Sequence, residues 1–426
     1  MFVTVSPGIT FNELNSPRQQ FDALPLPQRQ RLKIEKSLFF NFFARNGIYY
    51  GLKSFGIKPG DEVLMPELNS TIEPQVVLSL GAVPVFYRIR TFSNLHDSPT
   101  SYFEDFTPDW GDVEAKITTK TKFFHLIHYL GVPNDIETSL TFCKQHKLIF
   151  FEDAAYGFLS AFPYWMHTSQ HGLTHQDVIP LGSFGDFSVL CPRKTVPLPN
   201  GAICVINSRE IDNALPHIKL RIPLRTRYSS CWDWLYLLRN HPKKINAHTL
   251  THPSCILDGL VRYFGPMRRF IARHKGYVFH DLAVFDPDRI DWCMTQLAYD
   301  QLFKFDYSLI IQKNLKNFDH VRNFCVGKKW DIFPRKIRKG TVPNAILLRI
   351  PSHTDPALSA DLISSTMLSH GVQFARPWHW NENINEWKNI PSVDSYVGRG
   401  LILPIHYQLN EHHLRYYLDI LDKILK

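Results

Sequence analysis

Between residues 46 and 206 short apolar runs, each closed by a turn, alternate with stretches whose apolar residues recur every three or four positions. This alternation narrows the possible folds more than any other feature of the chain. Ile48, Leu52 and Phe55 fall on one face of a helix that begins near Asn46 and is stopped by Gly56 and Pro59-Gly60. Glu62-Val63-Leu64-Met65 then predicts a strand, residues 73–80 a helix, and Val83-Pro84-Val85-Phe86-Tyr87 a second strand. Residues 122–128 predict a strand, residues 139–146 a helix, and Leu148-Ile149-Phe150-Phe151 a buried strand that runs into Glu152-Asp153. Residues 187–190 and 202–206 supply two more strands. Strands separated by helices imply an α/β protein with a large, mostly parallel sheet covered on both faces.

A chain of 426 residues is too long for one ordinary core, so two packed domains are expected. Residues 1–37, polar and rich in proline, form an N-terminal arm, and residues 38–260 form the large α/β domain. Residues 261–426 form a smaller C-terminal α+β domain, with a strand at 345–350, a helix near 357–369 and a terminal helix over 410–425. The seven cysteines are scattered without a C-x-x-C pair, which suits a reducing compartment. No signal-like N-terminus and no run near the roughly 20 apolar residues of a membrane span is present, so a soluble cytoplasmic protein with no membrane partner is expected. The net charge of +9 is spread along the chain, with one dense cluster at residues 328–339 and no nucleic-acid motif beside it. It therefore fits a solvated surface or a field for anionic substrates better than a nucleic-acid partner.

In an open parallel sheet ligands gather beyond the carboxyl ends of the strands, where helix N-termini present free N–H groups. Asp153 stands at such an end, as a helix cap or as a ligand group. Lys194 lies just past a strand in Cys191-Pro192-Arg193-Lys194-Thr195-Val196-Pro197, a loop stiffened by two prolines. A lone lysine there is most often solvated. With Asp153, the strand-borne Ser188 and the helix start at Arg45-Asn46, it forms a set that matches pyridoxal 5'-phosphate (PLP). That cofactor needs an amine for its aldehyde, an anion beside its pyridine nitrogen and donors for its phosphate. The amine should be partly deprotonated, through desolvation and the neighbouring charge of Arg193.

The stretch from about residue 42 to 206 resembles the DegT/StrS-like family of PLP-dependent nucleotide-sugar aminotransferases, of fold type I. Its landmarks occur in the family's order: Gly51-Leu52-Lys53, Gly60-Asp61-Glu62-Val63-Leu64-Met65-Pro66, Gly81-Ala82-Val83-Pro84-Val85-Phe86 and His128-Tyr129-Leu130-Gly131-Val132-Pro133. Glu152-Asp153-Ala154-Ala155, Gly182-Ser183-Phe184-Gly185-Asp186, Pro192-Arg193-Lys194 and Pro199-Asn200-Gly201-Ala202 follow. The resemblance implies that Lys194 is the Schiff-base lysine and proton carrier, that Asp153 partners the pyridine nitrogen, and that Ser188 holds the phosphate. Arg45 and Asn46 fall on the family's phosphate loop, Tyr156 lies on the cofactor, and His128, Tyr129 and His406 are implied at the substrate mouth. It further implies transfer of an amino group from an amino acid, with glutamate as donor, to a nucleotide-linked keto-sugar, and a homodimer.

The chain departs from the family at Tyr156, where Gln is frequent, and at Asn69 and Ser70, where an aromatic commonly stacks on the cofactor. A cross-dimer Asn-rich segment is not recognisable between residues 208 and 230. These departures leave two alternatives: a PLP enzyme of another reaction type, such as a dehydratase, lyase or aminase of a non-sugar acceptor, or a degenerate non-catalytic relative. Related dehydratases carry histidine in place of the lysine, so Lys194 argues against that branch. His167, His171 and His175 in the insertion at 162–177 recur every four residues, but Gly172 interrupts the helix they would need, so no metal is expected. Aromatic runs at 232–236 and 378–380 fit core or interface packing.

Overall fold

The computed structural model describes residues 38–70, 72–90, 106–164, 177–207, 290–351, 354–355, 358–374 and 399–426. The N-terminal arm, the three histidines of the insertion, both aromatic runs and the boundary at residue 260 lie outside these residues.

A seven-stranded sheet forms the larger layer, in the order β1-β9-β8-β5-β4-β2-β3. Its strands are β1 (Leu38–Asn41), β2 (Glu62–Pro66), β3 (Val83–Tyr87), β4 (Thr121–Ile127), β5 (Ile149–Ala154), β8 (Phe187–Leu190) and β9 (Ala202–Ile206). The neighbours β3, β2, β4, β5 and β8 pair in parallel, whereas β9 runs against both β8 and β1. The apolar run through β5 is long because both faces are covered, which is the mark of a central parallel strand. Helices α1 (Ala44–Ser54) and α2 (Ile72–Ser79) cover one face: Ile48, Leu52, Val76 and Val77 pack with Phe123, Phe151, Phe187 and Val189. The helices α3 (Trp110–Ala115) and α4 (Ile136–His146) start from Asp109 and Asp135, whose carboxylates cap the first turns through Asp112 N–H and Thr138 N–H. The opposite face holds Phe124, Leu126, Phe150, Leu190 and Val205.

Three strands, one in this sheet and two in a separate two-stranded sheet, have little sequence signal. Strand β1 is an edge strand of four residues that gains a further bridge, Asn41 to Cys293. Strands β6 (Ala161–Tyr164) and β7 (Asp177–Pro180) flank the histidine insertion as an antiparallel pair. Residues 292–294 return to β1: Phe42 N–H donates to the Trp292 carbonyl at 2.9 Å, and Met294 N–H to the Phe40 carbonyl at 3.0 Å.

A second sheet, β10 (Asp331–Phe333), β11 (Ala345–Arg349) and β12 (Gly400–Pro404), is antiparallel throughout. It is covered by α6 (Tyr307–Gly327), α7 (Ala360–Ser369) and α8 (Glu411–Ile424), preceded in the chain by the short α5 (Gln296–Leu302). Phe318, Val321, Ile346, Leu348, Ile363, Met367, Leu401, Tyr417 and Leu418 build its own apolar core. Asn410 caps α8 in a reciprocal box with His413.

Candidate active site

Strand β5 carries two adjacent acids, and the pleat sends them to opposite faces. Asp153 pairs in register with Val189, so it points to the face covered by α1 and α2. Glu152 pairs with Ser188 and points to the other.

Because β9 runs antiparallel, the connection from β8 to β9 stays at the carboxyl edge of the sheet, and Lys194 sits on it in a short 3-10 turn over Pro192–Lys194. The Lys194 ammonium lies 3.8 Å from the centre of the Tyr156 ring, a cation–π contact. Burial alone would lower this amine, but Tyr156, Cys191, Asp153 and Glu73 together raise it above the ordinary lysine value. The expectation of a partly deprotonated Lys194 is thus reversed in the cofactor-free chain. The reason is the set of acidic neighbours, Tyr156 and Cys191 first and the carboxylates of Asp153 and Glu73 after them, which together outweigh desolvation.

Asp153 is 4% exposed; its Oδ1 accepts the Ala155 N–H at 2.8 Å, and its Oδ2 lies 3.7 Å from Nε2 of His125. Burial would raise this carboxyl, yet His125, Lys194 and the Ala155 amide hold it below the usual carboxylate range. One oxygen therefore has a firm hydrogen bond and the other keeps acceptor capacity for a ligand N–H.

Glu73, in the first turn of α2, is the acid that sequence reasoning passed over as an ordinary helix start. Ser70 Oγ donates to its Oε2 at 2.5 Å. Desolvation and then Asp153 push its carboxyl up to about 7. Its folded value therefore lies above the unfolded one, so its contribution to stability is full below the unfolded pKa and is lost as pH rises through about 7. The melting temperature of cofactor-free protein should fall between pH 5 and 8, and Glu73→Gln should flatten that fall. Equal slopes for the two proteins would mean that solvent already hydrates Glu73.

Helix α1 brings its N-terminus to the same edge. Ala44 packs on the small side chains Ala155, Cys191 and Ala202, and Phe43 offers no side-chain oxygen to cap the first turn. The two phosphate-loop side chains have structural tasks: the Arg45 guanidinium lies 4.0 Å above the Phe43 ring, and Asn46 Nδ2 donates to the Trp292 carbonyl at 3.2 Å. Backbone N–H groups of this turn suit a phosphate.

Three implied site residues, Ser188, His128 and Tyr129, fall elsewhere. Ser188 is fully buried on the face opposite Asp153, with its hydroxyl donating to Glu152 Oε2 at 3.2 Å and accepting from Asn207 Nδ2 at 3.3 Å. It cannot hold the phosphate of a ring that meets Asp153, because in-register strand neighbours share a face. Ser188→Ala should leave PLP affinity within about twofold while costing about 1 kcal/mol of stability; a tenfold loss of affinity would return the hydroxyl to the cofactor. His128 is fully buried: its Nδ1 accepts Asn134 N–H at 2.9 Å, so its proton sits on Nε2 and goes to Glu152 Oε1 at 3.1 Å. Both ring nitrogens are spent inside the fold, which removes it from the substrate mouth. Tyr129 is likewise buried, its hydroxyl donating to the Leu68 carbonyl. His406 follows β12, and its carbonyl accepts Asn317 Nδ2 at 3.1 Å, tying the small sheet to α6. Its neighbours Tyr407 and Gln408 help line a cavity of about 650 Å³ with Lys313, Lys316 and His320.

Among the described residues no group of three or more potential ligands is arranged to hold a metal, and no helix is long and apolar enough to cross a membrane. The residues that do converge, Asp153, Lys194, Glu73, His125 and the uncapped turn of α1, fit PLP in their donor set. They offer a low-pKa carboxylate with a vacant acceptor position, an amine, and amide donors above a floor of small side chains.

The architecture is that of the PLP-dependent sugar aminotransferases. Helicobacter pylori PseC, an aminotransferase of pseudoaminic acid biosynthesis, superposes with a TM-score of 0.64 at 12% identity over 100% of this chain and 99% of its own. Spr1654 from Streptococcus pneumoniae, solved in PLP form, superposes at 0.59 and 15% identity over 100% and 99%. Residues 44–221 match the model of the DegT/DnrJ/EryC1/StrS aminotransferase family. GDP-perosamine synthase of Escherichia coli O157:H7 is 28% identical over 172 residues, which is 40% of this chain and 41% of that protein. The chain thus spans less than half the length of this curated relative.

Proposed function

We propose that the chain is a PLP-dependent aminotransferase that moves an amino group from an amino acid, with glutamate as donor, to a nucleotide-linked keto-sugar. The observation that carries this is the meeting of one amine, Lys194, and one low-pKa carboxylate, Asp153, on a single face at the carboxyl edge of the parallel sheet. The family match and the sugar-nucleotide relative support the acceptor class.

When bound, PLP supplies an aldehyde for an amine and an electron sink for the bond-breaking step. The residues around it have distinct tasks. Asp153 holds a proton on the pyridine nitrogen, because its carboxylate stays anionic despite burial. Lys194 Nζ would hold the aldehyde as the amine partner and would serve as the proton carrier of the transfer. Glu73 lies within electrostatic reach of both Lys194 and Asp153, so its charge state would tune both groups. The first-turn amides of α1 take the phosphate. Tyr156 packs its ring against the Lys194 ammonium.

The direct experiment is the visible spectrum of purified protein with PLP, before and after glutamate, followed by product analysis with a panel of nucleotide-linked keto-sugars. A bound chromophore that glutamate converts, and an aminated sugar product, are expected. A colourless protein that takes up no PLP would instead favour the non-catalytic relative, a reading to which the turned-away Ser188 lends some support. We place the enzyme in the cytoplasm as a homodimer, which sedimentation of the purified protein tests.

A further inference from the structure

His125 sits in the middle of β4 and is fully buried. In the β4–β5–β8 register His125 pairs with Phe151 and Phe151 with Phe187, and the three rings stack. The imidazole lies 4.2 Å from Phe151 at 10°, and Phe151 lies 4.6 Å from Phe187 at 4°. The Tyr87 hydroxyl donates to the His125 carbonyl at 2.7 Å, so backbone and ring plane are both held. One pleat further along β5 stands Asp153, its Oδ2 3.7 Å from His125 Nε2.

Neither ring nitrogen has a hydrogen-bond partner among the described residues. A buried imidazolium would need acceptors for two N–H groups, and among the described residues only the Asp153 carboxylate is within reach of either. The neutral ring with its proton on Nε2 needs one.

We propose that His125 is a positioning residue, a neutral donor whose Nε2–H orients the Asp153 carboxylate toward the pyridine nitrogen without cancelling its charge. The inference rests on the reading of Asp153 given above. At 3.7 Å the contact is charge to dipole rather than a full hydrogen bond, and such contacts around catalytic groups commonly shorten when the site is filled. A lysine or arginine in this place would compete with the ring nitrogen for the carboxylate; a neutral donor does not. Burial lowers the His125 basicity, in keeping with the neutral form. Among the described residues, the other charged or titratable groups around Asp153 are Lys194 from the β8–β9 connection, Glu73 from α2 and Tyr129 after β4, with Tyr156 and Cys191 beside Lys194.

The test uses the full-length chain with His125→Phe, which keeps the stack and removes the donor, and His125→Gln, which restores an N–H near the Nε2 position. PLP dissociation constants should rise about tenfold in H125F, the scale of one charge-assisted hydrogen bond, and stay within about threefold of wild type in H125Q. Because the donor helps hold Asp153 below its ordinary value, cofactor loss on acidification should begin at higher pH in H125F. Equal affinity and an equal acid limit in H125F, or an H125Q protein as weak as H125F with an unchanged melting temperature, would overturn the inference. Nitrogen-15 NMR of the wild-type imidazole adds a measurement that needs neither a variant nor PLP: the Nε2–H tautomer should persist from pH 5 to 8, and an imidazolium or Nδ1–H tautomer would refute it. Wild-type protein that takes up no PLP but shows the Nε2–H tautomer would instead strike at the functional proposal.

Discussion

Lys194→Ala protein is expected to hold PLP only reversibly: borohydride should fix the cofactor to wild-type chain at the Lys194 peptide and leave the variant unmodified in a mass spectrum. Aminotransfer should fall by at least about 10³-fold, since the residue that moves the proton is gone. The variant should still fold. Lys194 stands at the sheet edge, half-buried, and contributes a contact to Tyr156 rather than a core side chain. Its removal leaves Asp153 and Glu73 facing each other without their shared cation, so the Glu73 carboxyl should rise further above 7. A variant that still carried the reduced cofactor on another lysine would end the assignment of this amine.

Glu152→Ala should unfold the protein more readily by about 3–5 kcal/mol, the cost of breaking a buried, fully partnered charge. Glu152 has no exposed surface, yet its carboxylate accepts Gly182 N–H at 2.5 Å, Phe184 N–H at 2.8 Å and Gly185 N–H at 3.0 Å, besides His128 and Ser188. Burial would push its carboxyl up; donation from His128 and from the Gly182 and Gly185 amides more than offsets this and holds it below the ordinary value. With a depressed folded value, the stabilisation is present above the unfolded pKa and lost as pH falls through the folded one. The loop over 181–186 is therefore pinned to β5 from below. Gly185 approaches so closely that a Cβ there would meet Glu152 Cβ and the Phe150 and Phe187 carbonyl oxygens at 2.8 Å. Thermal melts of the cofactor-free variant should fall by about 5–10 °C. A change below about 1 kcal/mol would mean that water can replace the carboxylate in the nest.

These two acids illustrate how far the sequence carries. Glu152-Asp153 is legible as a polar end to an apolar strand, and Lys194 as an amine on a proline-braced loop, because strand length, turn residues and chain order are local properties. The strands of the parallel sheet were legible for the same reason, whereas β1, β6 and β7 are set by pairing with other segments rather than by a local pattern. His125 was hidden inside Thr121–Ile127, where alternation identified a strand but His128, beside the family-like His128-Tyr129-Leu130-Gly131, drew the chemical assignment. Its parity with Phe151 is the signal that it faces the site.

By itself, then, the sequence determined an α/β chain whose amine and acid both stand at strand ends, since each depends on a few neighbouring residues. The tertiary structure alone decided which side chains share a face. A strand's pleat reverses direction at every residue, and only pairing between distant segments sets the register. That is why Val189, not Ser188, lies beside Asp153, why His128 and Tyr129 are spent within the core, and why Glu73 and His125 come to surround the carboxylate and the amine.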